Sequence, residues 1–241
     1  MGNEFKYSNS EIVKIPYPSF FEHLRVKVLD SISLEILDLI LEQSDVYIFS
    51  GIIRDYLLQN NKPVRDVDIV IAQDINWLSI IRKYYHLIRV TKNSFGGFKI
   101  HINNLTIDLW ALKDTWGIIH GKYKLTPQNL IRTAFFNFSA ILYSIRDKQF
   151  YIHKSFASFF SNREIDIVYQ ENPNVPLCII NSLYYSKILK MSLSESLKQW
   201  IIEHFDINCN YEITQQKHWS RILYTNDQIF AFCLQCKYSL K

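Results

Sequence analysis

At 241 residues the chain is long enough for one large domain or two small ones, each with a real hydrophobic core. A hydrophobic content of 48% against 21% charged residues fits a soluble globular protein and excludes a low-complexity chain. The net charge of +4 is modest, and no apolar run approaches the length that crosses a bilayer, so no membrane span is expected.

The start, MGNEFKYSNSE, carries no apolar signal core, which leads us to expect a cytoplasmic protein. Glycine and proline number only 6 each, which argues against a flexible linker. The charge is unevenly spread: residues 22–74 hold ten acids against five Lys or Arg, whereas residues 75–154 hold twelve Lys or Arg against three acids. That middle third reads either as a basic wall facing phosphates or as an ordinary solvated surface.

Residues 1–30 form an N-terminal extension, with Pro16 and Pro18 interrupting any helix before a short amphipathic stretch at 20–30. From Ser31, apolar residues at Ile32, Ile36, Leu39 and Ile40 recur at helical spacing. Val46–Ser50 reads as a strand that runs into a glycine turn at Gly51 and then a short helix. A polar turn with Pro63 leads to a second strand, which carries Asp66 and Asp68. Strand side chains alternate, so both carboxylates leave the same face while Val67, Ile69 and Ile71 point into a core. Two such acids repel and lose solvation unless a cation joins them, and hard oxygen ligands suit magnesium. A solvated strand edge with Arg65 as counter-ion is the plainer alternative. Asp74 is expected to cap the next helix, followed by a strand over 86–91. Lys99–Ile102 and Leu105–Leu112 then form strands joined by an Asn103-Asn104 turn, with Thr106, Asp108 and Trp110 sharing one face.

The order Ser50-Gly51-Ile52-Ile53-Arg54-Asp55, then Arg65-Asp66-Val67-Asp68, resembles the catalytic head of class II CCA-adding tRNA nucleotidyltransferases and bacterial poly(A) polymerases. Those enzymes carry G-G-x-x-R-D on a strand–turn–helix and D-x-D on the next strand; Ser50 stands where the first glycine would be. The resemblance implies an α+β, polymerase-β-like head at 31–125 followed by a mainly helical region at 126–241. It also implies Asp66, Asp68 and Asp108 as catalytic carboxylates holding Mg2+, two ions, with Mn2+ as the alternative. The nucleotide triphosphate would lie against Ser50, Gly51, Arg54 and Asp55. The family's R-R-D-F-T-I-N-A segment is matched by Ile131–Phe138 only at Arg132 and Asn137, which makes those two further candidates for nucleotide contacts; Thr133 replaces its aspartate.

Beyond this point the pattern fades. The family's D-P-F-x-G loop corresponds to Tyr151–Phe156, without aspartate or glycine, and the base-reading E-D-x-x-R falls at Asn174–Cys178, with none of its charges. Base discrimination by that device should be lost. The remainder reads as helices over 182–191, 194–205 and 227–238. Cys233 and Cys236 form a C-x-x-C, but the spacing to other Cys and His residues fits no zinc pattern, and reduced, partly buried thiols are expected.

The expected activity is therefore transfer of a nucleoside monophosphate from an NTP to an acceptor, with RNA or a tRNA 3′ end favoured. By analogy, a head this short suits a defence or toxin module. Transfer to a protein side chain or small molecule, or a non-catalytic RNA-binding remnant, are the alternatives.

Overall fold

The computed structural model describes residues 11–60, 63–93, 96–121 and 123–240. They divide into two compact units: one takes the described residues up to Ala134 together with Phe138–Phe156, and the other takes Phe135–Asn137 and Ala157 onward.

In the first unit the elements run β1 (Ile12–Pro16), α1 (Pro18–His23), α2 (Ser31–Leu41), β2 (Val46–Phe49), α3 (Gly51–Leu57), β3 (Asp66–Ile71) and α4 (Trp77–Ile81). They continue through β4 (Arg89–Lys92), β5 (Phe98–Ile102), β6 (Leu105–Ala111), α5 (Trp116–His120), α6 (Pro127–Arg132), β7 (Ile141–Ser144) and β8 (Gln149–His153). A π-helical turn, Leu24–Val28, continues α1. The strands make one eight-stranded mixed sheet in the order β1-β8-β7-β2-β3-β6-β5-β4, and β3 with β6 is its parallel pair.

Local sequence explains these elements. Asp30 Oδ1 accepts from the Ser33 amide at 2.8 Å, starting α2, whose Ile36, Leu37 and Ile40 are buried. β6 alternates strictly, with Leu105, Ile107, Leu109 and Ala111 buried and Thr106, Asp108 and Trp110 half-buried on the opposite face. Each fully buried aliphatic side chain in β3 and β6 contributes about 2 kcal/mol of burial, which locks the faces of these strands.

Both faces of the sheet are covered in part. On the Ile107 side, Phe20 of α1 meets Tyr143 and Phe150 at ring distances of 4.9 and 5.3 Å, with Tyr56 of α3 at 5.0 Å. On the Asp68 side, Leu112, Ile118, Leu130 and Ile131 pack on Tyr47, Val70, Leu142 and Tyr151. That cover spans the Val70 level, whereas Asp66, Asp68, Thr106 and Asp108 stay half-buried near the other end of their strands.

The expected boundaries differ from the structure at two places. Residues 12–16 do not stand apart as an extension; they pair antiparallel with β8 at the sheet edge. The unit also runs past residue 125, because β7 and β8 return to the sheet beside β2. The strand Ile141–Ser144 is buried at every position, so its sequence lacks the alternation that marks a half-exposed strand. Asn76, not Asp74, caps α4, accepting from the Ser79 amide.

The second unit takes up α7 (Lys154–Asn162), which begins in the first. It then contains β9 (Glu164–Ile165), α8 (Val175–Leu189), β10 (Ser192–Leu193), α9 (Glu195–His204), α10 (Tyr211–Trp219) and α11 (Asn226–Tyr238). β9 and β10 pair in parallel. The fully buried Gln215 amide ties α10 to the following loop, donating to the Tyr224 carbonyl at 2.7 Å and accepting from the Leu223 and Tyr224 amides at 2.9 Å. α10 was not expected from sequence: YEITQQKHW is polar around most of its circumference and gives little apolar periodicity. Cys178, Cys233 and Cys236 are buried free thiols.

Candidate functional site

Register alone assembles a transverse row across the sheet. Phe49 stands opposite Asp68, Asp68 beside Asp108, Asp108 opposite Lys99, and Lys99 opposite Thr91. Paired residues share a face, so these side chains project together at neighbour spacings of about 5 Å. Two residues along, the adjoining row is Asp66, Thr106, His101 and Arg89. The three predicted carboxylates thus come together on one face, at the mouth of β2.

Cations attend two of the three acids. Lys99 Nζ lies 3.0 Å from Asp108 Oδ2, and Arg65 Nε donates to Asp66 Oδ2 at 2.6 Å. Among the described residues Asp68 has no such ion-pair partner of its own, and its carboxyl is pushed up to about 7, by burial first, then by the charges of Asp108 and Asp66, with Lys99 and Arg54 opposing. The three carboxylates therefore resist ionising together, and the charge of an ionised Asp68 is the one its neighbours leave uncompensated. Among the described residues no three His, Cys, Asp or Glu side chains are gathered as a ready metal cage, since Asp66 and Asp108 lean toward Arg65 and Lys99. The donor set nonetheless fits a hard divalent cation: oxygen ligands only, on adjacent strands, with a mutual repulsion of the three carboxylates that a cation would relieve.

The turn beside this row is strained. Ser50 has φ 58° and ψ −106°, a conformation that costs a residue with a Cβ, and its hydroxyl does not cap α3. Its amide donates to Ile141 O, and its carbonyl accepts from Ile53 and Arg54, all at 3.1 Å. Gly51 follows as the first residue of α3, and a Cβ built on it would meet nothing within 4 Å. Internal packing does not require a glycine here; the space in front of it is open.

The other predicted residues are placed as follows. Arg54 is buried, with Nε 2.9 Å from Asp55 Oδ1 and the guanidinium 5.3 Å from the centre of the Phe138 ring. Asp55 thus orients Arg54, and the arginine acts on Asp68 as a background positive charge. Arg132 ends α6, where Nη2 pairs with Glu11 Oε2 at 2.7 Å and Nη1 donates to Asn129 Oδ1 at 3.0 Å; its Nε is buried without a partner. Glu11 Oε1 also accepts from His153 Nε2 at 3.2 Å, while Nδ1 of that ring accepts from the Ser155 amide. His153 shares the acid-bearing face and end of the sheet, but β8 is three strands from β3, roughly 14 Å away. Asn137 belongs to the second unit, where its Nδ2 donates to Glu164 O and its amide to Asp166 O, both at 2.9 Å, leaving Oδ1 buried without a partner.

Lys99 was not anticipated from sequence. The signal was present: an Asn103-Asn104 turn joining Ile102 to Leu105 sets Lys99 opposite Asp108 by counting outward along the hairpin.

No protein-family model matches the chain, and no curated protein matches it in sequence. Solved structures match it in fold. A CCA-adding enzyme in complex with CTP superposes with a TM-score of 0.63 at 13% identity, covering 95% of this chain and 56% of that one. The Thermotoga maritima CCA-adding enzyme complexed with tRNA gives 0.60 at 15% identity, over 93% and 55%. A tRNA nucleotidyltransferase complexed with a primer tRNA and an incoming ATP analogue gives 0.58 at 18% identity, over 84% and 60%. The chain spans a little over half the length of these enzymes. It has their nucleotidyltransferase-head fold, a mixed sheet flanked by helices, followed by a helical part. Among the described residues no helix is long and apolar enough to cross a membrane.

Proposed function

We propose that this protein is a metal-dependent nucleotidyltransferase that moves a nucleoside monophosphate from an NTP to the 3′ end of an RNA, with tRNA as the first candidate. One observation carries the reading: Asp68 and Asp108 are register partners on the parallel strands, with Asp66 on the same face and the open Gly51 turn at the end of β2. The fold, shared with enzymes described in complex with CTP, an ATP analogue or tRNA, supports it.

Asp66, Asp68 and Asp108 would hold divalent cations, two magnesium ions by preference with manganese as the substitute, which lower the pKa of an attacking hydroxyl and offset charge at the α-phosphate. Asp68 would hold a cation in its ionised form. Gly51 leaves room for the β- and γ-phosphates beside the first amides of α3. Arg54, fixed by Asp55 and Phe138, supplies positive potential behind them. The acceptor oxygen forms a bond to the α-phosphorus, the α–β bridge breaks, pyrophosphate departs, and the hydroxyl proton passes to solvent. Arg132 is committed to Glu11 and serves the triphosphate only if that pair opens; Asn137 belongs to the second unit, where Glu164 and Asp166 hold it.

The test is incubation of the purified protein with each α-labelled NTP, Mg2+ and total cellular RNA. Label in RNA with release of pyrophosphate supports the reading. Label confined to protein or a small molecule changes the acceptor, and absence of both transfer and metal-dependent nucleotide binding rejects the activity.

A further inference from the structure

We infer that Lys99 is a positioning residue of this site: it holds the Asp108 carboxylate in the absence of a divalent cation and transfers its ammonium to a phosphate oxygen when cation and nucleotide bind. The inference rests on the nucleotidyltransferase reading above and adds a residue and a coupling to it.

Three observations lead there. First, Lys99 belongs to the acid-bearing face by register, directly opposite Asp108, whose other neighbour is Asp68. Second, the two ends of the ion pair differ in burial. The Asp108 side chain is 19% exposed and that of Lys99 is 45% exposed, so the ammonium reaches the carboxylate from the solvent side on a flexible four-carbon stem. Ion pairs this exposed add little to stability, and the hairpin is already held by its ladder and its turn, so the pair can open at small cost. Third, β4 and β5 contain no acidic residue; beside Lys99 on this face stand Thr91, His101 and, one strand further, Thr106 and Arg89.

Charge then dictates the sequence of partners. A divalent cation on Asp108 and the Lys99 ammonium compete for the same oxygens and repel one another at contact distance. The incoming cation displaces Nζ, and the displaced ammonium has no second carboxylate on its own strands. The nucleotide supplies the missing anion, and a compact ammonium suits a phosphate oxygen. Lys99 thus penalises cation binding in the empty site and favours it once a triphosphate is present. Cation and nucleotide become positively coupled, each strengthening the other.

The test uses the full chain carrying Lys99→Met, which keeps the stem and removes the charge, and Lys99→Arg, which keeps the charge. Titration calorimetry reads Mn2+ binding without nucleotide, then binding of a non-hydrolysable NTP analogue at saturating Mg2+. For Lys99→Met the two constants move in opposite directions: Mn2+ alone binds several-fold tighter, and the analogue binds roughly tenfold weaker. Lys99→Arg recovers most of the analogue binding. Unchanged constants, or weakening of both, overturn the role of Lys99 while leaving the activity standing. A wild-type chain that binds neither Mn2+ nor the analogue overturns the nucleotidyltransferase reading and this inference with it. Unchanged circular dichroism of the variants confirms that a loss of binding is not a loss of fold.

Discussion

Asp68 on β3 and Asp108 on β6 are direct register partners, two carboxylates side by side on one sheet face, and burial first, then the charges of Asp108 and Asp66, pushes the Asp68 carboxyl up to about 7. Its ordinary value is 3.8. Across that window the folded protein holds a proton that the unfolded chain has released, so stability falls as pH rises from about 4 to about 7 and is flat above. Asp68→Asn removes the charge. It should raise the melting temperature at pH 8, by an amount that shrinks through pH 6 and 5 and vanishes near pH 4. Mg2+ should stabilise the wild type and not the variant, and the variant should lose nucleotidyl transfer. Melting curves over this pH series, with and without Mg2+, check the sign; a gain independent of pH would remove the repulsion argument.

Gly51 tests the phosphate turn separately from the metal. A Cβ there meets nothing within 4 Å, so Gly51→Val should leave stability within about 1 kcal/mol of wild type. The same side chain fills the space in front of the first turn of α3. NTP binding should weaken at least tenfold, with Gly51→Ala between the two. Equilibrium urea unfolding and nucleotide titration measure the two effects, and unchanged binding in the valine variant would place the phosphates elsewhere.

Ser50→Gly should improve the protein. The residue sits at φ 58°, ψ −106°, and its hydroxyl caps nothing, so only the Cβ strain and the backbone entropy of glycine compete. Strain of about 1–3 kcal/mol outweighs an entropy cost of about 0.5–1 kcal/mol. A gain near 1 kcal/mol is expected in urea unfolding, with transfer activity retained. A loss of stability would show that the serine makes a compensating contact.

This serine illustrates how far the sequence was legible. The strand–turn–helix and the D-x-D strand were readable because Gly51, Pro63 and the alternation around Val67 and Ile69 are local signals. Asp108 was found the same way, through the unbroken alternation from Leu105 to Ala111. The strain at Ser50 was not legible, since a backbone angle follows from where β2 ends against β7 and not from the residue itself. β7 and β8 escaped because strands buried on both faces carry no alternation. The ties of Arg132 to Glu11 and of Asn137 to the 164–166 segment join residues far apart in sequence, which no local pattern encodes. The pairing of Lys99 with Asp108 was within reach of simple register counting from the Asn103-Asn104 turn.

The cysteines give a last prediction, directed at the second unit. Burial raises the Cys178 and Cys233 thiols to about 12 and Cys236 to about 11, so little thiolate forms at neutral pH and these thiols should react slowly. Cys209 is also raised, but it is only half-buried, in the turn before α10. An aromatic disulfide reagent at pH 8 should therefore modify one thiol per native chain, at Cys209, and four after denaturation. Incubation with a zinc chelator should leave the melting temperature unchanged. Chelator-induced unfolding, or protection of Cys233 and Cys236 by added zinc in the denatured chain persisting on refolding, would assign the C-x-x-C a metal. With neither effect, α11 is held by apolar packing, and Cys233→Ala should cost about 1 kcal/mol through the volume it removes.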